Sequence, residues 1–280
     1  MIRRAESPRV VRRMGAAEMF IESQLAVGRV AFPLSHLIGE TGLSKIAANR
    51  QLSRLGPKVV KISERQSFYL IVSPEHRSFG APPATWWLQE YFDWLERPYY
   101  LALQSAASVF GSNPQALQVT QVMTDSPRRE ISVGRIQVRF FVKRGIRRTA
   151  TQQPSGAVAP LRVSTAEATV FDLIRYASSI GGIERAAETI APLLGLLRPE
   201  ELKRVLETEN EITIAQRLGF ILDSLGGKNL AKIVREWLPR NIRRISLSQI
   251  PEGGGEVPVN ERWQILNTSA ELNLLTLLPG

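Results

Sequence analysis

Apolar residues recur at helical spacing three times within the first 55 positions. Met14, Ala17, Met19, Phe20, Ile21 and Leu25 mark a first helix over 14–26, and Gly28 ends it. Phe32 and Pro33 lead into a second, with Ser35 as its expected cap and Leu34, Leu37 and Ile38 as its buried face. Thr41, Gly42 and Leu43 make the turn, where glycine takes a positive φ at no steric cost. The third helix starts at Ser44, whose hydroxyl can accept from the free backbone N–H groups, and runs through 45–55. In it Ala48, Leu52 and Leu55 share one face, while Lys45, Ile46, Asn49, Arg50 and Ser53 fall on the other, with Arg54 beside them. Gly56 and Pro57 stop the run, and two β-rich stretches, 59–62 and 68–72, flank a turn of Ser63, Glu64, Arg65, Gln66 and Ser67. Helix, helix, turn, helix, hairpin is the order of a winged helix-turn-helix, placed here at 14–75.

The remaining pattern predicts a larger α/β domain over 76–280. Three prolines in 73–83 set the boundary, and a dense aromatic run (Trp86, Trp87, Tyr91, Phe92, Trp94) opens the new unit. Such aromatics either fill a core or stack bases, and core burial is the commoner use. A helix is expected over 99–110, strands at 119–124, 136–142 and 161–163, and helices at 165–177, 183–191, 199–206, 212–225 and 230–238. The helical subregion thus spans about 165–240, with closing strands at about 245–270, such as 245–250 and 262–267. The fold class is α/β (α+β): an N-terminal winged helix-turn-helix, then a larger α/β domain with a helical C-terminal part.

Charge sharpens this picture. Residues 1–80 hold 13 Lys and Arg against 6 Asp and Glu, a surplus of +7 out of the chain's +10. A partner rich in negative charge therefore meets the N-terminal part, and nucleic acid is the leading candidate, since neutralising phosphates releases condensed counterions. Residues 1–13, with five arginines and one glutamate, read as a flexible basic arm. An anionic membrane would want a basic amphipathic helix, and 14–28 carries too few basic residues. Asn and Arg on the outward face of the third helix can contact adenine and guanine in a major groove. The expected DNA contacts are Ser44, Lys45, Ile46, Asn49, Arg50, Ser53 and Arg54, with Lys58, Lys61, Arg65 and Gln66 from the wing. Lys143, Arg144, Arg147 and Arg148, with Arg128 and Arg129, form a further basic group, read equally as a polyanion site or as scattered surface charge.

Catalytic chemistry is thin. Cysteine is absent, which excludes disulfides, thiolate metal sites and cysteine nucleophiles. Both histidines, His36 and His76, lie in the N-terminal part, and no nucleophile elbow, phosphate-binding loop or zinc-ligand spacing occurs. Glu201-Leu202-Lys203 copies a nuclease-like Glu-x-Lys, but it sits at a helix start with Pro199 and Glu200, where acids favour the dipole. The sequence predicts a cytoplasmic non-enzyme with no cofactor and no metal.

Several phrases resemble the AbiEi-type antitoxins of bacterial toxin-antitoxin and abortive-infection systems, in which a winged helix-turn-helix precedes a larger domain. They are Ser67-Phe68-Tyr69; Tyr99-Tyr100-Leu101-Ala102-Leu103-Gln104-Ser105-Ala106; Val163-Ser164-Thr165-Ala166-Glu167-Ala168-Thr169-Val170-Phe171-Asp172-Leu173; Gln216-Arg217-Leu218-Gly219-Phe220-Ile221-Leu222; and Arg262-Trp263 before Asn267. Ala166 and Ala168 stand where the family usually shows Pro and Arg, and Gln66-Ser67 replaces a common wing glycine. The resemblance implies an autorepressor that binds double-stranded DNA at inverted repeats in its own promoter, as a homodimer or cooperatively. It also implies that the second domain counteracts a co-encoded nucleotidyltransferase toxin, directly or functionally. By motif match, Ser164, Thr165, Glu167 and Asp172 are the positions to examine for that second role; as residues, they read first as a helix cap and an Asp172–Arg175 pair that organise the domain. A plain winged-helix repressor with a ligand-binding or dimerisation domain, and an enzyme acting on the toxin or its product, are the alternatives.

Overall fold

The computed structural model describes residues 14–112, 118–247 and 258–266. The expected arm at 1–13, residues 248–250 of the expected strand at 245–250, and Asn267 lie outside the described residues. Backbone contacts divide the chain into two units, one within Met1–Trp94 together with Ser132–Ile136, the other comprising Leu95–Ile131 and Gln137–Gly280.

In the first unit, α1 (Ala16–Ala26), α2 (Leu34–Thr41) and α3 (Lys45–Arg54) are joined by β1 (Ala31–Pro33) and followed by β2 (Val59–Ser63) and β3 (Gln66–Ile71). The strands form an antiparallel sheet in the order β1-β3-β2. Phe20, Phe32, Leu37, Ala48, Leu52 and Tyr69 share one core. Within it Phe20 meets Phe32 edge-on at 5.1 Å and Phe32 stacks on Tyr69 at 5.6 Å. Gly42 takes the left-handed conformation expected of it (φ 65°), and its N–H donates to the Ile38 carbonyl to close α2. Ser35 is not the cap of α2: the extended Pro33 holds that position, so Ser35 lies already inside the first turn.

The aromatic run belongs to this first unit, and the division falls at Trp94 instead of at 75/76. The reason is packing. In α4 (Leu88–Trp94), Tyr91 sets its ring 5.3 Å from Phe68 of β3, and its hydroxyl bonds the Gln66 amide. Trp87, Leu88, Tyr91 and Phe92 are buried, so the run fills a core.

The second unit is built on a six-stranded mixed sheet in the order β6-β7-β5-β4-β9-β8. These strands are β4 (Tyr99–Leu101), β5 (Val119–Thr124), β6 (Ile131–Val133), β7 (Ile136–Val142), β8 (Thr151–Gln152) and β9 (Val163–Ser164). The single helix expected over 99–110 is in fact β4 followed by α5 (Leu103–Val109). Tyr99, Tyr100 and Leu101 pair with Thr124, Met123 and Val122, and Leu103, at φ 54°, turns the chain into the helix. The helical layer contains α6 (Ala166–Arg175), α7 (Ile183–Ile190), α8 (Pro199–Glu209), α9 (Ile212–Ser224) and α10 (Lys228–Trp237). Three short strands, β10 (Ile245–Ser246), β11 (Val259–Asn260) and β12 (Ile265–Leu266), make a small sheet in the order β10-β12-β11. Arg262 and Trp263, expected in a strand, precede β12 in a turn. No helix among the described residues is long and apolar enough to cross a membrane.

Helix α6 is the centre of this unit, with every residue from Ala166 to Ile174 buried. A helix buried all round is normally apolar throughout. This one carries Glu167, Thr169 and Asp172 inward, and each must therefore find partners.

In the first unit Glu90 generates a test. Burial pushes its carboxyl up to about 7, Asp93 adds to the shift, and Arg29, 3.7 Å away, opposes it. Its Oε2 is buried with no hydrogen-bond partner among the described residues. The folded value lies above the unfolded one, so the group's stabilising contribution is complete below the ordinary carboxylate range and is lost as pH rises through about 7. Glu90→Gln is expected to raise the melting temperature at pH 8 and change it little at pH 5. Thermal unfolding at the two pH values checks this, and equal effects at both would refute it.

Candidate nucleic-acid face and buried ion-pair cluster

On α3 the Ser44 hydroxyl accepts from the Ala47 N–H at 3.2 Å, the expected N-cap. Ala48 and Leu52 are buried, while Lys45, Ile46, Asn49, Arg50, Ser53 and Arg54 are exposed, so the two faces separate as the spacing requires. Ile46, at 67% exposure, is an apolar side chain held out in water. Gln51 accepts from the Ala17 N–H at 2.9 Å, tying α3 to the start of α1. The Tyr69 hydroxyl donates to Asn49 Oδ1 at 3.1 Å, which orients the amide and leaves its NH₂ group and one oxygen lone pair outward. Burial first, and Glu64 second, push the Tyr69 hydroxyl up, keeping it a neutral donor.

The residues expected to form a wing divide. Arg65 and Lys61 are exposed, with Lys61 Nζ 5.9 Å from the Tyr69 ring centroid. Lys58 is exposed too but pairs with Glu18 at 3.0 Å, so part of its charge is already answered. Gln66 departs from expectation: its amide bonds the Tyr91 hydroxyl and Ser63 Oγ, and it is half-buried. The side chain that replaces the wing glycine is thus used inside its own unit.

The four motif residues of the second unit are brought together around the start and centre of α6. Thr165 caps the helix by accepting from the Ala168 N–H at 3.3 Å. Ser164 and Thr169 share a buried hydroxyl–hydroxyl bond of 2.7 Å. Glu167, 2% exposed, accepts from the Arg198 backbone N–H at 3.0 Å, which holds the lead into α8. Asp172 is wholly buried and takes three donors: Tyr100 Oη at 2.7 Å, Lys143 Nζ at 2.9 Å and Arg175 Nη1 at 2.9 Å.

Sequence reasoning missed most of what surrounds Asp172. Lys143, grouped there with surface arginines, is only 4% exposed; its ammonium also bonds Glu209 at 2.7 Å. Glu209, at the end of α8, accepts from Arg175 Nη2 at 2.7 Å as well, and Arg175 reaches the more exposed Glu211. Two cations and two carboxylates, Asp172 buried and Glu209 partly so, thus alternate, each touching both opposites, and Glu211 adds one partner at the solvent edge. Burial drives the Glu209 carboxyl upward, but Lys143 and Arg175 outweigh it and hold the group below its usual range. Tyr100 is pushed well up by burial and then by Asp172, and burial lifts Tyr176 to about 12. Tyr100, in the second matched phrase, was the one available signal.

The two remaining phrases interlock. Gln216 Nε2 donates to the carbonyls of Arg243, Trp263 and Gln264, and Trp263 Nε1 donates to Asp223 at 3.0 Å. A Cβ on Gly219 would fall 2.1 Å from the Trp263 ring, so only glycine lets the indole lie against α9. Among the described residues no group of three or more His, Cys, Asp or Glu side chains is arranged to hold a metal. Glu201 pairs with Arg204 at 2.7 Å in the first turn of α8, as helix-start acids do.

Residues 100–224 match a family model described as the AbiEi antitoxin C-terminal domain. That span holds the whole cluster and Gly219; Trp263 lies beyond it. The crystal structure of the RV2827C protein from Mycobacterium tuberculosis is similar, with a TM-score of 0.63 over 91% of this chain and 92% of that one. At 16% identity this likeness is one of fold. No curated protein matches the chain by sequence.

Two substitutions test the packing. Lys143→Met leaves Arg175 as the one cation bonded to both Asp172 and Glu209 and is expected to cost about 3–5 kcal/mol in urea unfolding, as for other broken buried pairs; a loss under 1 kcal/mol would mean the cluster is solvated like a surface pair. Gly219→Ala is expected to displace Trp263 from α9, read as a red shift in tryptophan emission, and an unchanged spectrum would count against the close approach.

Proposed function

We propose that this chain is an AbiEi-type antitoxin, a reading supported by the match of residues 100–224 to that family's C-terminal domain, and that it binds DNA in its own promoter, represses its operon and counteracts a co-encoded nucleotidyltransferase toxin. The observation that carries the DNA reading is the separation of faces on α3. Ala48 and Leu52 anchor the helix in the core, and Lys45, Asn49, Arg50 and Ser53 stand in solvent on the opposite side. The arrangement supports a winged helix-turn-helix in which α3 enters the major groove and Arg65 and Lys61 meet the phosphates.

Asn49 and Arg50 are the base-reading pair. With Tyr69 holding its oxygen, Asn49 reaches a groove with its amide already oriented, so little rotamer entropy is lost on binding. Arg50 is free to reach guanine in bidentate fashion. Ile46 offers an apolar contact for a thymine methyl group. Lys45, Ser53, Arg54 and the cap Ser44 line the helix where it faces the backbone, and the Glu18 pair makes Lys58 the weaker phosphate contact of the wing.

The antitoxin role falls to the second unit. Ser164, Thr165, Glu167 and Asp172 act there by building α6 into the core, since all four are engaged in internal bonds. The toxin is therefore opposed through surfaces that α6 supports and not through these side chains themselves.

Gel shifts on the chain's own upstream sequence, with a co-expression rescue of the neighbouring toxin, test the proposal. Arg50→Ala is expected to cost about 1–3 kcal/mol on the operator and to relax one base preference. Lys61→Ala is expected to weaken all sequences alike and to lower the salt slope by about one. Intact specific binding by Arg50→Ala would remove α3 as the reader, and an absence of rescue would remove the antitoxin role.

A further inference from the structure

We propose that the second unit carries its own phosphate-binding rim, made of exposed arginines from two segments, which grips the backbone of duplex nucleic acid independently of α3. The first segment is the turn after β7, with Arg144, Arg147 and Arg148 exposed. It is stapled at both ends to one carboxylate oxygen, because Lys143 Nζ at 2.7 Å and Thr149 Oγ1 at 3.4 Å both donate to Glu209 Oε1. With its base fixed in this way, the turn between them keeps Arg144 and Arg147 in solvent, while the exposed Arg148 has its guanidinium beside Gly145.

The second segment follows α10 and carries Arg240, Arg243 and Arg244, also exposed. Gln216, in the second turn of α9, holds it through the Arg243 carbonyl at 2.9 Å. Glu209 closes α8 and Gln216 lies one turn into α9, on the two sides of one helix corner. The two arginine segments are therefore anchored at the same end of the helical layer.

Three features point to a phosphate backbone. None of the six arginines pairs with a carboxylate among the described residues, whereas Lys143 and Arg175 each pair with two. All six are arginine, whose planar fork matches phosphate oxygens and is more weakly hydrated than an ammonium. The rim also lacks the contiguous apolar patch a protein interface puts at its centre: Ile146 and Leu238 are buried, and the exposed large apolar side chains near it are two, Val142 after β7 and Ile212 at the start of α9. Nor does it offer a stacking platform for unpaired bases. Tyr176 donates its hydroxyl to the Val142 carbonyl and packs on Phe141, and Trp237 packs against the core. What remains is sequence-independent grip.

The test uses the full chain and a random-sequence duplex, with affinity followed across salt concentration. Two triple variants are made, Arg144→Ala with Arg147→Ala and Arg148→Ala, and Arg240→Ala with Arg243→Ala and Arg244→Ala. Circular dichroism and thermal unfolding should be unchanged, since all six side chains are exposed. Each triple is expected to reduce the slope of log affinity against log salt by up to about 2.7, or about 0.9 for each phosphate that is no longer neutralised. Lysine at the same positions should restore the slope. Slopes equal to that of the unaltered chain in both triples would overturn the rim. So would rim-dependent capture of a polyglutamate peptide with no change on the duplex, which would mark an acidic protein as the partner. Asn49→Ala with Arg50→Ala, run in parallel, separates the two readings: its effect is confined to operator preference, so the α3 reading can fail while the rim stands, and the reverse.

Discussion

Two carboxylates and two cations, Asp172 and Lys143 buried and Glu209 and Arg175 partly so, hold the second unit together, and neither pair is tolerable without the other. Asp172 alone in the middle of α6 would be a charge with no water; with Tyr100, Lys143 and Arg175 around it, every oxygen is answered. The same two cations then recruit Glu209 from the end of α8. One strand end, the central helix and the corner between two further helices are thereby registered to each other by charge-assisted bonds with fixed geometry. Apolar packing alone would hold them just as close but with less definite register.

This arrangement explains why a helix so deeply buried is not simply apolar. Thr165, Ser164 and Thr169 fasten its start, Glu167 reaches the lead into α8, and Asp172 faces the sheet. The Ser-Thr-x-Glu phrase thus encodes a connector with a different neighbour for each polar side chain. The Gln216–Gly219 phrase does the same for the tail. Three carbonyls converge on one amide, and a missing Cβ makes room for an indole, so the small sheet at the end of the chain has a seat on α9.

The first unit follows a different plan. Its core is aromatic and its outer face is cationic, and the few internal polar bonds serve to orient side chains that remain in solvent. Tyr69 takes part in both: its ring stacks in the core and its hydroxyl sets Asn49. Gln66 shows how a wing side chain can go the other way, since the nearby Tyr91 hydroxyl captures its amide. That capture, with the Phe68–Tyr91 contact, also draws α4 into this unit.

What the sequence by itself determined were features whose signal is local. The three N-terminal helices, the Ser44 cap, the Gly42 turn and the five later helices each depend on spacing or on a single residue's backbone preference, and these survive in any context. The two faces of α3 were equally legible, because 3.6 residues per turn sorts side chains without reference to anything distant. Tertiary structure alone decided the rest. Tyr99 to Leu101 became a strand because β5 was there to pair with it, and the aromatic run joined the first unit because Phe68 offered a ring. Lys143 and Glu209, 66 residues apart, show no sign in the sequence of belonging together. A lysine at a strand end reads as surface until a buried carboxylate faces it, since the energy that makes burial tolerable comes from the partner and not from the residue.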